Sequence, residues 1–286
     1  MKDFRKVFGV DFTSAPSRKK PITAVECWID GSWLCLQAIH LLTDFQQFEA
    51  FLNRSGPWVG SFDFPFNLPK TFVIEMGWPL VWSETMAHLE SLEKHEYERA
   101  IKDYQDSQPP GRKLHFRQTD RVTASSSPMK LVYPPVGKML FQGAPKLWRS
   151  GVCVVPQQMN DDPRQVLEGY PAMVARRLIQ KQPYKSDEKS KQTQDRLEAR
   201  QVIIAGLQSD ELLEAYGVKV SFESVDPTLL WNESSADQLD ALLCAVQAAW
   251  AWRQRHNNYG IPADVDVNDG WIVDPAVAPP VGLSVV

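Results

Sequence analysis

Cysteine is scarce. Four residues, Cys27, Cys35, Cys153 and Cys244, are spread over 286 positions with no C-x-x-C pair and no zinc-ligand spacing, so neither a disulfide framework nor a zinc module is indicated. Most of them sit in apolar runs and read as reduced, buried thiols of a cytoplasmic protein. Long hydrophobic runs are missing too. None approaches the ~20 residues a membrane helix needs, and the run after Lys2, Arg5 and Lys6 is too short for a signal sequence. A soluble protein with no membrane partner is expected. No excess of one charge announces a nucleic-acid binder, because the net charge is -4. The five histidines, His40, His88, His95, His115 and His256, lie outside the acidic motifs. No Ser-His-Asp or Cys-His arrangement suggests a side-chain nucleophile, and no internal repeat is visible.

What is present is ordinary globular material, 43% hydrophobic and 23% charged. It is enough for one large α/β domain or two small ones. Residues 4–12, 22–29 and 33–39 read as strands, and Asp30-Gly31 between the last two is a strong hairpin signal. Thr43, with Gln46 as box partner, is placed to cap a helix ended by Gly56-Pro57. A fourth strand, 58–62, is reached through that helix and is expected parallel to the first; Pro65 stops it. Residues 84–106 form a charged helical segment with seven acids against three bases. Residues 112–149 read as irregular, rich in proline and serine, with eight bases and one acid; so long a loop-rich insertion is more often functional than filler. Further on, 151–155 and 165–170 are strand candidates, 171–181 a helix, 182–192 a polar, mobile stretch, and 193–207 and 211–216 helices. Ser234 or Ser235 caps a long helix to about His256, and an acidic extension from about 260 to 286 contains a candidate edge strand at 270–274.

The pattern has one anomaly at its centre. Asp11 ends an apolar strand, and an unpaired charge there is costly, so it needs a partner. A metal ion is the expected partner, with Asp63, Glu168, Asp237 and Asp240, the other acids on apolar elements, converging on it. Asp237 and Asp240 are three residues apart and share a helix face. Carboxylates are the ligands that hard ions such as Mg²⁺ or Mn²⁺ take. Two such ions about 3.5–4 Å apart stabilise the attacking and leaving oxygens of phosphoryl transfer without a nucleophilic side chain. Each acid also has a plainer reading. Asp11 could cap a turn through Thr13 and Ser14, and Asp63 could form an Asx turn before Phe64-Pro65. Asp237 could simply meet the helix dipole, and Glu168 could pair with an arginine such as Arg176 or Arg177.

The element order β-β-β-α-β, then more α/β and a long C-terminal helix, resembles the ribonuclease H-like fold, with sheet order 3-2-1-4-5. That topology would set Asp11 beside Asp63. Gly9-Val-Asp-Phe-Thr-Ser-Ala15, Phe62-Asp-Phe-Pro-Phe66, Glu168-Gly-Tyr-Pro171 and Asp237-Gln-Leu-Asp-Ala-Leu-Leu-Cys-Ala245, with Arg117-Gln-Thr-Asp-Arg121 and Ser127-Pro128, resemble the domain of unknown function 429 family. Its members are regarded as predicted nucleases of ribonuclease H-like fold. The last acidic motif also resembles the helix of Holliday-junction resolvases. The resemblance implies a single ribonuclease H-like domain over 1–286 with an insertion at about 84–150, in which a mixed five-stranded sheet is flanked by helices. It implies Asp11 as the ligand bridging two metals, completed by Asp63 and one or both of Asp237 and Asp240. Glu168 would be a fifth ligand, a supporting group, or a replacement on the next strand.

The expected activity is divalent-metal-dependent hydrolysis of phosphodiesters in DNA or RNA. Thr13, Arg117, Arg121, Lys130, Lys185 and Arg200 are candidate substrate contacts. The bases of 112–149 alternate with Phe116, Tyr133, Phe141 and Trp148, offering phosphate contact and base stacking together. Two other readings compete. One is an actin-like or sugar-kinase-like phosphotransferase binding Mg-ATP, which a single copy of the strand-Asp-x-Thr opening disfavours. The other is a non-catalytic nucleic-acid-binding module.

Overall fold

The first strand, β1 (Arg5–Asp11), alternates with period two. Phe8 and Val10 pack into one apolar cluster and Val7 into another. The structure is a computed structural model describing residues 5–279. Phe4 and the end of the acidic extension, 280–286, lie outside the described residues. β2 (Ile22–Asp30) and β3 (Trp33–Leu42) form the expected hairpin, turned at Gly31 with φ of +61°, a conformation glycine adopts without cost. β1 pairs antiparallel with β2.

Helix α1 (Phe45–Leu52) is capped by Asp44 rather than Thr43; the Asp44 carboxylate accepts the Gln47 N–H at 2.8 Å. Thr43 and Gln47 instead bond each other reciprocally, so the box lies one residue further along. β4 (Trp58–Asp63) then runs parallel to β1 and stops before Pro65.

The charged segment divides at Leu92-Glu93, after the short helix α2 (Lys70–Glu75), into α3 (Trp82–Ser91) and α4 (Lys94–Ser107). The stretch expected to be irregular holds α5 (Gln118–Thr123) and the fifteen-residue α6 (Val136–Ser150), which carries Pro145 in its interior. Prolines at 134, 135 and 145 hide this helix from propensity arguments, but burial of Leu140, Ala144 and Leu147 in a phenylalanine-rich cluster sustains it.

The remaining strands are β5 (Cys153–Val155), β6 (Arg164–Glu168) and the three-residue β7 (Lys219–Ser221). The sheet is therefore mixed and seven-stranded, in the order β5-β6-β4-β1-β2-β3-β7, not five-stranded. The neighbours 3-2-1-4 are as expected. Beyond β4 lies the sixth strand, the fifth forms one edge, and β7 adds a parallel edge beside β3. β7 is too short to leave a periodic signal.

Helices cover both faces. α1 to α4 and α6 share the phenylalanine-rich cluster around Phe8, Phe48, Phe62 and Phe64. On the other face lie α7 (Ala172–Ile179), α8 (Gln194–Gly206), α9 (Asp210–Tyr216), α10 (Thr228–Asn232) and α11 (Asp237–Arg253). Neither Ser234 nor Ser235 caps α11. The cap position is Ala236, at φ of +60°, and the Glu233 carboxylate accepts the Gln238 N–H at 2.7 Å. The stretch 182–192, expected to be mobile, is pinned by Ser186 N–H bonding the Ser234 carbonyl and by the buried Tyr184 ring. Residues 270–274 form no strand; Ile272 makes a single bridge to Glu168. Among the described residues no helix is long and apolar enough to cross a membrane, and all four cysteines are free thiols.

Candidate functional site: an acid cluster at the strand ends

Asp11 and Asp63 close their strands as register partners in the parallel β1–β4 pair. Strand alternation puts both on the face that carries Val7 and Val59, the face packed by α11. Gly9, two residues before Asp11, is what lets the helix come so close. A Cβ there would lie 1.8 Å from the Ala241 carbonyl oxygen and 2.3 Å from Ala245 N. The first turn of α11 then delivers Asp237 and Asp240, both buried, to the end of β1. Ala236, which starts this turn, is a non-glycine residue in the left-handed region, a strained conformation that clusters at functional sites.

The carboxylates perturb one another. Burial, then the charges of Asp237 and Asp240, push the Asp11 carboxyl well above its ordinary range. Burial raises Asp63 to about 7; Lys185 opposes the shift while Asp240 and Glu168 add to it. Asp240 is also raised, mainly by burial, against the pull of Lys185.

Two ammonium groups answer this negative charge. Lys20 Nζ donates to Asp237 Oδ1 at 2.8 Å and to Asp187 Oδ1 at 3.1 Å. Lys185 Nζ donates to Asp240 Oδ2, and the Tyr184 hydroxyl donates to Asp240 Oδ1 at 2.6 Å. Burial works against the Lys185 charge, but Asp240, Asp11 and Asp63 hold its pKa well above the usual lysine range. Among the described residues no three His, Cys, Asp or Glu side chains are grouped to hold a metal ion as they stand. Chemically the carboxylates suit a hard divalent ion. Loading one would require the lysines to give way, since they satisfy Asp237 and Asp240.

Glu168 is placed differently. It is 2% exposed, and its carboxylate is clamped by the Arg117 guanidinium at 2.7 and 2.5 Å and by the Phe66 N–H at 3.1 Å. The arginine is Arg117, not Arg176 or Arg177. Arg117, 2% exposed, also donates to Asp120 at 2.8 and 3.1 Å and to the Asp269 carbonyl, so its donors are used inside the protein rather than offered to a substrate. Arg200 is likewise internal, donating to the carbonyls of Trp231 at 2.6 Å and Tyr184 at 2.7 Å. Thr13 and Lys185 do line the recess over the acids. Arg121 is exposed, its guanidinium 5.8 Å from the Phe116 ring centroid, and Lys130 is half-buried after the turn at Ser127.

Residues the sequence did not single out complete the picture. Lys20 is one of three consecutive bases, with nothing to distinguish it from Arg18 or Lys19. Tyr184 sits in a stretch that reads as polar linker. Asp120 lies within a recognised motif, but its pairing with Arg117 three residues earlier is the only local clue.

Residues 9–266 match the model of a family described as Protein of unknown function (DUF429). No curated protein matches the chain, and no solved structure does.

Proposed function

The chain belongs to this family of proteins of unknown function, and from that premise we propose that it is a divalent-metal-dependent phosphodiesterase acting on nucleic acid, built on a ribonuclease H-like core. The observation that carries the reading is the pairing of Asp11 with Asp63 at adjacent parallel strand ends, faced by Asp237 and Asp240. Burial and neighbouring carboxylates raise Asp11, Asp63 and Asp240, and such a cluster would not persist in a core for stability alone. The strand neighbours 3-2-1-4 and the acidic helix behind them support the fold assignment.

Asp11, Asp63, Asp237 and Asp240 would hold Mg²⁺ or Mn²⁺, which when bound supplies stabilisation of the attacking and leaving oxygens. Lys20 and Lys185 balance the charge of Asp237 and Asp240 in the absence of cations and are placed to take up phosphate charge when displaced. Glu168 and Arg117 fix the chain around Phe66 and hold the wall beside Asp63. The test is cleavage of labelled DNA and RNA with Mg²⁺ or Mn²⁺ by wild type and by Asp11→Asn. Divalent-dependent cleavage abolished in the variant is expected; equal cleavage by both would sink the reading.

A further inference from the structure

Two recesses meet over Asp63. One, about 270 Å³, has Asp11, Thr13, Ser14, Lys20 and Asp237 in its wall. The other, about 290 Å³, has Phe64, Pro65, Val136, Tyr170 and Ala172 along one side. Asp63, Pro134, Met139 and Lys185 belong to both. The first offers hydroxyls, an ammonium and carboxylates; the second sets an apolar and aromatic wall against a polar one of Arg117, Asp120, Ser125, Ser126 and Glu168.

We infer that the Tyr170 recess is a base-binding subsite, and that the strand engaged at the acids is unpaired at the nucleotide beside the reacting phosphate. The inference rests on the nuclease reading and names its substrate class, single-stranded nucleic acid. The volume sits at the low end of small-molecule sites, roughly 300–1,000 Å³; it suits one nucleotide and cannot admit a duplex.

Tyr170 is fixed in advance. Its hydroxyl accepts from Arg176 Nη2 at 3.0 Å, and the guanidinium carbon lies 5.2 Å from the ring centroid. Its N–H donates to Gln247 Oε1 at 2.9 Å. A ring held this way gives up little freedom when a base stacks on it. Arg117, Asp120, Ser125 and Glu168, on the polar side of the recess, are already paired. Arg117 joins Glu168 to Asp120, and Ser125 Oγ donates to Asp120 Oδ1 at 3.0 Å. With those acceptors engaged internally, stacking rather than edge readout dominates, which tolerates every base. At the rim, Tyr133, 92% exposed beside Pro134 of the shared wall, presents a second ring to the neighbouring base. A paired base would first have to leave its stack, which costs a few kcal/mol, so a duplex is the poorer ligand.

The experiment is fluorescence anisotropy on Asp11→Asn protein with Mn²⁺. The probe is a short fluorescein-labelled DNA strand, or its RNA equivalent, free or annealed to its complement. The single strand should bind about tenfold tighter than the duplex. Tyr170→Ala should weaken single-strand binding about tenfold and leave the duplex unchanged, whereas Tyr170→Phe keeps the preference. Ser126→Trp, which fills the recess from another wall, should act like Tyr170→Ala and decides the matter if the latter fails to fold. Single-strand binding untouched in both variants overturns the subsite, even where wild type cleaves with Mn²⁺ and the nuclease reading stands. Loss of the preference in both, with no cleavage by wild type, keeps the subsite and removes the nuclease.

Discussion

Asp11 and Asp63 stand opposite each other across the β1–β4 pair, two carboxylates at the ends of adjacent parallel strands and on one face of the sheet. Their charge is an internal load. Burial holds Asp63 at about 7, so above that value the fold keeps an anion in a place that opposes it. Asp63→Asn removes the load without changing shape. It should stabilise the metal-free protein by about 0.5–2 kcal/mol, a rise of roughly 2–4 °C per kcal/mol, in thermal melts above that value. Added Mn²⁺ should raise the melting temperature of wild type and not of the variant. A variant that melts lower than wild type in the absence of metal would contradict this.

Lys185 ion-pairs Asp240, where the proposed cation would bind. Lys185→Met leaves that carboxylate with the Tyr184 hydroxyl as its remaining side-chain partner among the described residues, so the site should bind Mn²⁺ more tightly, about tenfold for a change near 1.4 kcal/mol. Calorimetric titration of both proteins measures this directly. Equal or weaker affinity in the variant would mean that the ammonium does not occupy the cation's place.

The acids were legible because each breaks a local rule: a charge ending an apolar strand, a charge pair in an apolar helix. The hairpin at Asp30-Gly31 and the parallel return of β4 were equally local. What the sequence concealed depends on tertiary contacts. Helix α6 persists with Pro145 inside it because its apolar face is buried. β7 is three residues long and exists only as a ladder along β3. Arg117 looked like a phosphate ligand because a base in a Pro/Ser-rich stretch gives no sign of the buried carboxylate it meets 51 residues later. Lys20 meets Asp237 across 217 residues, a contact no pattern within either segment encodes.

Arg117 joins two buried acids, Asp120 and Glu168, that have no access to solvent for compensation. Arg117→Met should destabilise by about 3–5 kcal/mol, the cost of leaving a buried charge without its partner. Arg117→Lys should recover only part, because an ammonium cannot reproduce the two forked contacts. Urea midpoints of the three proteins test this, and a midpoint for Arg117→Met near wild type would refute it.

Stability should also carry a signature of Asp269. Burial raises its carboxyl from an ordinary 3.8 to about 6, against the opposing charge of Arg117. Between those values the folded chain binds a proton that the unfolded chain has released. This contribution is therefore full below 3.8 and is lost as pH rises through about 6. Asp269→Asn keeps an acceptor for the Lys70 N–H and removes the titration. Measured against the variant, wild type should lose stability from pH 4 to 7 and run parallel to it above; a difference independent of pH would refute the assignment.

Gly9 tests whether the approach of α11 to β1 builds the site. Ala241 O and Ala245 N, the atoms a Cβ would strike, are backbone atoms of a helix buried on all sides, so the helix itself must shift. Gly9→Ala should cost about 1–3 kcal/mol, as overpacking does, and should weaken Mn²⁺ binding by carrying Asp237 and Asp240 away from Asp11. Gly31→Ala is the control. Its Cβ meets nothing within 4 Å, and its cost is confined to a φ of +61°, about 1–2 kcal/mol. The two variants should therefore lose similar stability, but only Gly9→Ala should lose metal affinity. If calorimetry finds wild-type affinity in Gly9→Ala, the helix does not deliver ligands to Asp11.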